Sequence, residues 1–164
     1  MRRIVVVSSQ AALRGIPATS AYSATKGALE LWAEALAMEV APFGMGITVL
    51  VTGTFKTDIL ELTPSWKDSE GPYVPLHEAL EAAGETMRRF ARLPDRFAPA
   101  VERALLDRKP FCRRPVGVDA TLMLYGGRLL PDRAMQVLIT RALRLPTSAK
   151  ASRHATIAQR STVA

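Results

Sequence analysis

The sequence predicts an α/β fold built on a parallel sheet, and three observations carry the prediction. A β-branched run, Ile4-Val5-Val6-Val7, stands near the start. A long stretch rich in Ala, Leu, Glu and Met follows over residues 21–40, and then a second apolar run, Ile47-Thr48-Val49-Leu50-Val51. Strand, long helix, strand is the order of a right-handed βαβ crossover, which lays its two strands parallel. Runs that are apolar throughout, rather than alternating, fit strands covered by helices on both faces. Hydrophobic residues make up 48% of the 164 and aromatics only 6%. That balance suits aliphatic helices packed on a buried sheet better than a β-sandwich.

The elements follow in order. The first run ends at Ser8-Ser9, and residues 10–19, with Gly15 and Pro17, read as a loop. Ser20 is the expected N-cap of a helix over 21–40. Leu29, Trp32 and Leu36 recur in it at helical spacing, while Ala and Leu occur almost all round. This is the pattern of a helix buried on two sides, against the sheet and against a partner subunit. Pro42 and Gly44 stop it. The second run leads into a polar loop, Thr52 to Thr57, at the carboxyl edge where open α/β sheets bind ligands. Residues 58–99 are less regular, with Pro64, Trp66, Gly71, Pro72, Tyr73 and Pro75 before a helical stretch near 77–90. Their place after that loop makes them a candidate substrate cover, with Ile59, Leu60, Leu62, Trp66, Tyr73, Val74, Leu76 and Leu80 as its apolar residues. Residues 98–107 read as a helix. Residues 111–118 read as a short strand that Pro115 restricts to a sheet edge. Two helices, 119–130 and 133–143, are split by Pro131. Beyond Pro146 the composition offers little to bury, so one domain is expected over 1–145 and a disordered tail over 146–164.

Composition excludes several classes. The net charge is +7, but Arg88, Arg89, Arg92, Arg96, Arg103, Arg108, Arg113 and Arg114 are interspersed with Glu, Asp and Pro. They form no compact basic stripe with interleaved aromatics, so a solvated surface is expected and no nucleic-acid partner. Cys112 stands alone, and His77 and His154 are isolated and expected at the surface, so neither an internal disulfide nor a metal site is expected. The apolar run after Arg2 and Arg3 is too short for a signal peptide or a membrane span, and a cytoplasmic location fits. The Leu129–Leu145 stretch is read as terminal-helix packing rather than as a membrane-surface element.

Chemistry concentrates near residues 9–28. Tyr22 and Lys26, four apart, share one face of the expected helix. An ammonium one turn from a phenol favours the phenolate, which suits acid–base work. Ser9 ends the first strand 13 residues before Tyr22. A hydroxyl there can bond the same substrate oxygen that the tyrosine protonates. The segment Ile4-Val5-Val6-Val7-Ser8-Ser9, then Gly15-Ile16-Pro17, then Tyr22-Ser23-Ala24-Thr25-Lys26-Gly27-Ala28 resembles the active-site segment of short-chain dehydrogenases/reductases. The likeness continues through Glu39 to Gly44 and into Thr52-Gly53-Thr54-Phe55-Lys56-Thr57. There the family's usual proline is replaced by Thr52, and a small aliphatic residue by Phe55. Residues Ala104–Pro110, Pro115–Ala120 and Leu129–Arg133 loosely resemble the branch of type 1 17β-hydroxysteroid and retinol dehydrogenases.

The resemblance implies the C-terminal portion of a Rossmann-type, doubly wound parallel sheet, with the N-terminal half missing. It implies an oxidoreductase that interconverts an alcohol and a ketone or aldehyde with NAD or NADP, the choice between them not being readable. Tyr22 would be proton donor or acceptor. Ser9 would hold and polarise the substrate oxygen, and Lys26 would bind the nicotinamide ribose and favour the Tyr22 phenolate. The loop of Gly53, Phe55 (through its backbone) and Thr57 would touch the carboxamide. An apolar alcohol or carbonyl substrate is implied, and a homo-oligomer formed through the 21–40 helix. The sequence contains no glycine-rich turn that could hold the pyrophosphate, so the chain by itself is expected to be inactive. The alternative is a non-catalytic dimerisation module derived from the same fold.

Overall fold

The computed structural model describes residues 2–58 and 71–146. The described residues fall into two compact units, 2–57 with 91–131, and 58 and 71–90 with 132–146.

The first unit contains strands β1 (Arg2–Ser9), β2 (Met45–Thr52) and β3 (Phe111–Val116), all parallel, in the order β1-β2-β3. Helices α1 (Ser20–Val40) and α4 (Val118–Leu129) pack on one face, and α3 (Ala98–Leu105) packs on the other. The expected βαβ crossover and parallel sheet are therefore present. β2 is the core of the unit. Ile47, Val49 and Val51 meet Val6, Ala33, Ala37 and Ala120 on one side, and Leu50 meets Ala104 and Val116 on the other. Each fully buried Val, Leu or Ile side chain of β2 contributes about 1.5–3 kcal/mol. Gly44, at φ 70°, turns the chain from the end of α1 into β2, as the Pro42–Gly44 signal led us to expect.

Several expectations are corrected. β1 is not covered on both faces, since Ile4 and Val7 are 37% and 46% exposed. α1 lies chiefly over β2, so the outer strand is only partly roofed. Ser20 is the first residue of α1, and the N-cap is Thr19, whose hydroxyl donates to Ile16 O at 3.0 Å rather than capping the helix. Residues 10–12 form a single 3₁₀ turn rather than plain loop. The sheet side of α1 is buried, and Leu31, Trp32 and Met38 are exposed on the side that the sequence assigns to a partner subunit. β3 does lie at the sheet edge with Pro115 in it, as expected.

Two arginines expected to be solvated instead brace β3. Neighbouring strand residues point to opposite faces. Arg113 reaches α1, donating to Glu30 at 3.0 Å and to Glu34 at 2.7 Å. Arg114 turns the other way and donates to Asp107, its Nε at 2.7 Å. Asp107 also accepts from the Thr48 hydroxyl of β2 at 2.9 Å. Arg3 donates to the carbonyls of Asp107 and Lys109, the latter at 2.6 Å. It lies over Gly46, where a methyl group would strike its guanidinium.

The second unit contains α2 (Val74–Phe90) and α5 (Asp132–Ala142). Arg88 pairs with Glu85 on the surface of α2. His77 is partly exposed and stacks against the exposed Tyr73 with ring centroids 6.5 Å apart. Of the expected cover residues, Ile59, Leu60, Leu62 and Trp66 lie outside the described residues, as does His154. Nearly all of the tail expected to be disordered, 147–164, lies outside them too. No helix among the described residues is long and apolar enough to cross a membrane, and they hold no cluster of metal-ligating side chains.

The hydrogen bond from Arg114 is the largest influence holding the Asp107 carboxyl below its ordinary range. Burial opposes it and the Thr48 hydroxyl adds to it. A folded-state value below the unfolded one adds stability above the unfolded value, and this is lost as pH falls through the folded one. Asp107→Asn is therefore expected to cost about 1–3 kcal/mol near neutral pH. The gap from wild type should close as pH drops below about 4. Urea unfolding of both proteins across that range checks it.

Candidate active site

The sheet register brings the site residues to one edge. Ser9 pairs with Thr52 at the carboxyl ends of β1 and β2, so the segments that leave those strands start level. The Thr52 hydroxyl, standing where the family pattern has proline, donates to Ser8 O at 2.7 Å and ties the two strand ends together.

Ser9 is nine-tenths buried and caps the 3₁₀ turn Gln10–Ala12, its Oγ accepting from Ala11 N–H at 3.2 Å. An accepted bond leaves the hydroxyl proton to be donated elsewhere. Tyr22 lies in the first turn of α1 and is 48% exposed, a phenol open to a ligand. Lys26, one turn on and half buried, donates to Val7 O at 3.1 Å, with its ammonium 5.9 Å from the centroid of the Tyr22 ring. One proton of the ammonium is used in that bond, and its chemistry provides two more. The lysine thus joins the start of α1, which carries Tyr22, to β1 two residues before Ser9, and these groups form one cluster.

The 53–57 loop leaves β2 beside that cluster. Gly53 N–H donates to Val116 O at 2.9 Å, which carries the β2–β3 pairing one residue further. Phe55 forms a parallel bridge with Arg92. The bridge uses Thr54 O, which accepts from Arg92 N–H at 3.2 Å, and Lys56 N–H, which donates to Arg92 O at 2.8 Å. The peptide groups of Phe55 itself stay outside it, as the backbone role assigned to this residue needs. The Phe55 ring packs edge-on to Phe97 at 5.6 Å. An aromatic side chain here is accounted for by the α3 side of the core, where the family pattern has a small residue. Thr57 is exposed at the end of the first unit, and no interaction ties it to Ser9, Tyr22 or Lys26.

The sequence reading missed Asp119, which sits in the first turn of α4 after Gly117. Its carboxylate accepts from Thr54 N–H at 2.7 Å and from Gln10 Nε2 at 3.2 Å. The available signal was an acidic residue in a first helical turn directly after a glycine. The donor set as a whole fits the nicotinamide–ribose end of a dinucleotide. It offers an ammonium with protons to spare, an open phenol, a buried hydroxyl and a loop with uncommitted peptide groups.

Residues 2–68 match the family model described as short chain dehydrogenase. The oxidoreductase YbbO of Escherichia coli is 31% identical over 140 residues, covering 84% of this chain and 48% of that protein. The 3-ketodihydrosphingosine reductase of Bacteroides thetaiotaomicron is 30% identical over 141 residues, covering 82% of this chain and 51% of that protein. Among solved structures, a short-chain dehydrogenase from Streptomyces avermitilis superposes with a TM-score of 0.59 at 28% identity, over 85% of this chain and 48% of that one. The chain spans about half the length of these relatives.

The cap geometry gives Ser9 a structural share beside any chemical one. Ser9→Ala is expected to lower stability by about 0.5–2 kcal/mol. Ser9→Asn, which keeps an acceptor for Ala11 N–H, should restore most of it. Thermal unfolding of the three proteins decides this, and equal loss in both variants would count against the cap.

Proposed function

Because the chain belongs to the short-chain dehydrogenase/reductase family, we propose that it carries the active-site portion of an oxidoreductase that interconverts an alcohol and a ketone or aldehyde. The observation that carries this reading is the cluster of Ser9, Tyr22 and Lys26 at one strand end, joined by the Lys26–Val7 bond and the approach of the ammonium to the Tyr22 ring.

NAD or NADP, when bound, supplies or accepts the hydride. The chain's own residues perform the rest. In reduction, Tyr22 gives its phenolic proton to the carbonyl oxygen, and in oxidation the phenolate takes the hydroxyl proton. Ser9 donates its remaining proton to the same oxygen and polarises it, while its Oγ stays anchored by Ala11 N–H. Lys26 is fixed to the Val7 carbonyl. It holds the ribose hydroxyls with its other protons. The peptide groups of Phe55 and the Thr57 hydroxyl orient the carboxamide.

An apolar carbonyl compound is the substrate class we favour. Support comes from the apolar content of 58–99 and from the Bacteroides relative, whose name states a keto substrate. The exposed row of Leu31, Trp32 and Met38 on α1 supports association of the protein with a second copy of itself.

In the native enzyme, Tyr22→Phe should abolish turnover while cofactor binding persists, because the ring stays and the transferable proton goes. Lys26→Ala should damage both. Steady-state kinetics with a parallel cofactor titration separates them, and near-normal turnover by Tyr22→Phe would remove Tyr22 as the proton donor. A polypeptide of these 164 residues alone should bind neither NAD(H) nor NADP(H) at micromolar concentrations, since it offers no glycine-rich turn for the pyrophosphate. A saturable nicotinamide fluorescence titration would overturn that.

A further inference from the structure

We propose that Asp119 is the positioning residue of the 53–57 loop, a carboxylate that fixes where the loop's peptide groups stand relative to Ser9. The proposal rests on the reading of that loop as the nicotinamide contact.

Three chain segments leave the carboxyl ends of the three strands, and one carboxylate joins them. Gln10, directly after Ser9, comes from β1. Thr54, two residues past Thr52, comes from β2. Asp119 itself follows β3. Its Oδ2 accepts from Thr54 N–H at 2.7 Å and from Gln10 Nε2 at 3.2 Å. The first turn of α4 suits a negative charge, because the unpaired helical N–H groups there carry the positive end of the helix dipole.

Two glycines make room for it. A methyl group on Gly53 would collide with both carboxylate oxygens of Asp119, and one on Gly117 would crowd Oδ1. Gly117 also has φ 122°, a backbone that side chains rarely adopt, which turns β3 directly into α4. The glycine of the loop is therefore explained by the aspartate behind it. That is a reason within the chain, independent of any ligand.

Phe55 follows Thr54 directly, so the groups read as touching the carboxamide sit one residue from the clamp. A hydrogen bond to the carboxamide is lost if those groups move out of reach, which weakens cofactor binding first. Thr54 is held through its N–H by Asp119 and through its carbonyl by Arg92, and Lys56 N–H is held by Arg92, so Phe55 lies between two fixed neighbours.

The test uses the native protein, Asp119→Ala, and Asp119→Asn, which keeps the shape but is a weaker acceptor. Amide hydrogen exchange at Thr54, read by NMR, should speed up about tenfold or more in Asp119→Ala, the loss expected for a hydrogen bond to a charged acceptor. Asp119→Asn should fall between Asp119→Ala and wild type. The KM for the nicotinamide cofactor should rise in the same order, with kcat moving less. Unchanged Thr54 exchange in either folded variant overturns the clamp, and Asp119→Asn alone decides this if Asp119→Ala does not fold. Faster exchange with an unchanged cofactor KM overturns the positioning role. If wild type turns over no nicotinamide cofactor, the functional reading fails by itself, and the exchange measurement still decides whether Asp119 holds the loop.

Discussion

The parallel register of β2 is the constraint on which the rest of the structure depends. β2 is the one described strand with a neighbour on each side and helices over both faces, and its residues from Gly46 to Val51 are buried. A register shift of one residue would turn its apolar set from one layer to the other. Burial therefore fixes the register, and the register fixes which residues end level. Ser9, Thr52 and Val116 fall side by side at the carboxyl edge. The packing of Ile47, Val49, Leu50 and Val51 thus decides, at a distance, where the serine hydroxyl and the 53–57 loop stand.

The edge is then locked by polar groups rather than by further apolar burial. Thr52 ties β2 to Ser8, Lys26 ties α1 to Val7, and Asp119 ties α4 to both neighbouring segments. Each bond joins a side chain to a strand end or the segment that leaves it, so the site geometry follows from the fold with little dependence on the surface. The edge strand β3, with Pro115 interrupting its pairing potential, is held by Arg113 and Arg114 reaching to opposite layers.

Much of this was legible in the sequence. The two apolar runs, the long helix between them and the Pro42–Gly44 stop are local signals, and they led to the observed βαβ unit. The elements that carry Ser9, Tyr22 and Lys26, a strand end and one helix face, were legible because both follow directly from periodicity. What stayed hidden was long-range. Arg113 and Glu30 lie 83 residues apart and Asp119 and Thr54 lie 65 apart, and no periodicity connects them. For that reason the arginines read as a solvated surface and Asp119 read as an ordinary helix start. The partial exposure of β1 was hidden for a similar reason, since a β-branched run does not reveal how far a helix will roof it.

The central claim is that one strand end of this fold holds the reacting part of a nicotinamide cofactor. The most direct measurement is a crystal structure of the native protein with NAD(H) or NADP(H) bound. The account predicts the nicotinamide ribose within hydrogen-bond reach of Tyr22 and Lys26, and the carboxamide against the peptide groups of Phe55. The Ser9 and Tyr22 hydroxyls should face a common point about 3–3.5 Å from the hydride-bearing carbon. A cofactor bound with its nicotinamide away from the carboxyl ends of β1 and β2 would contradict it.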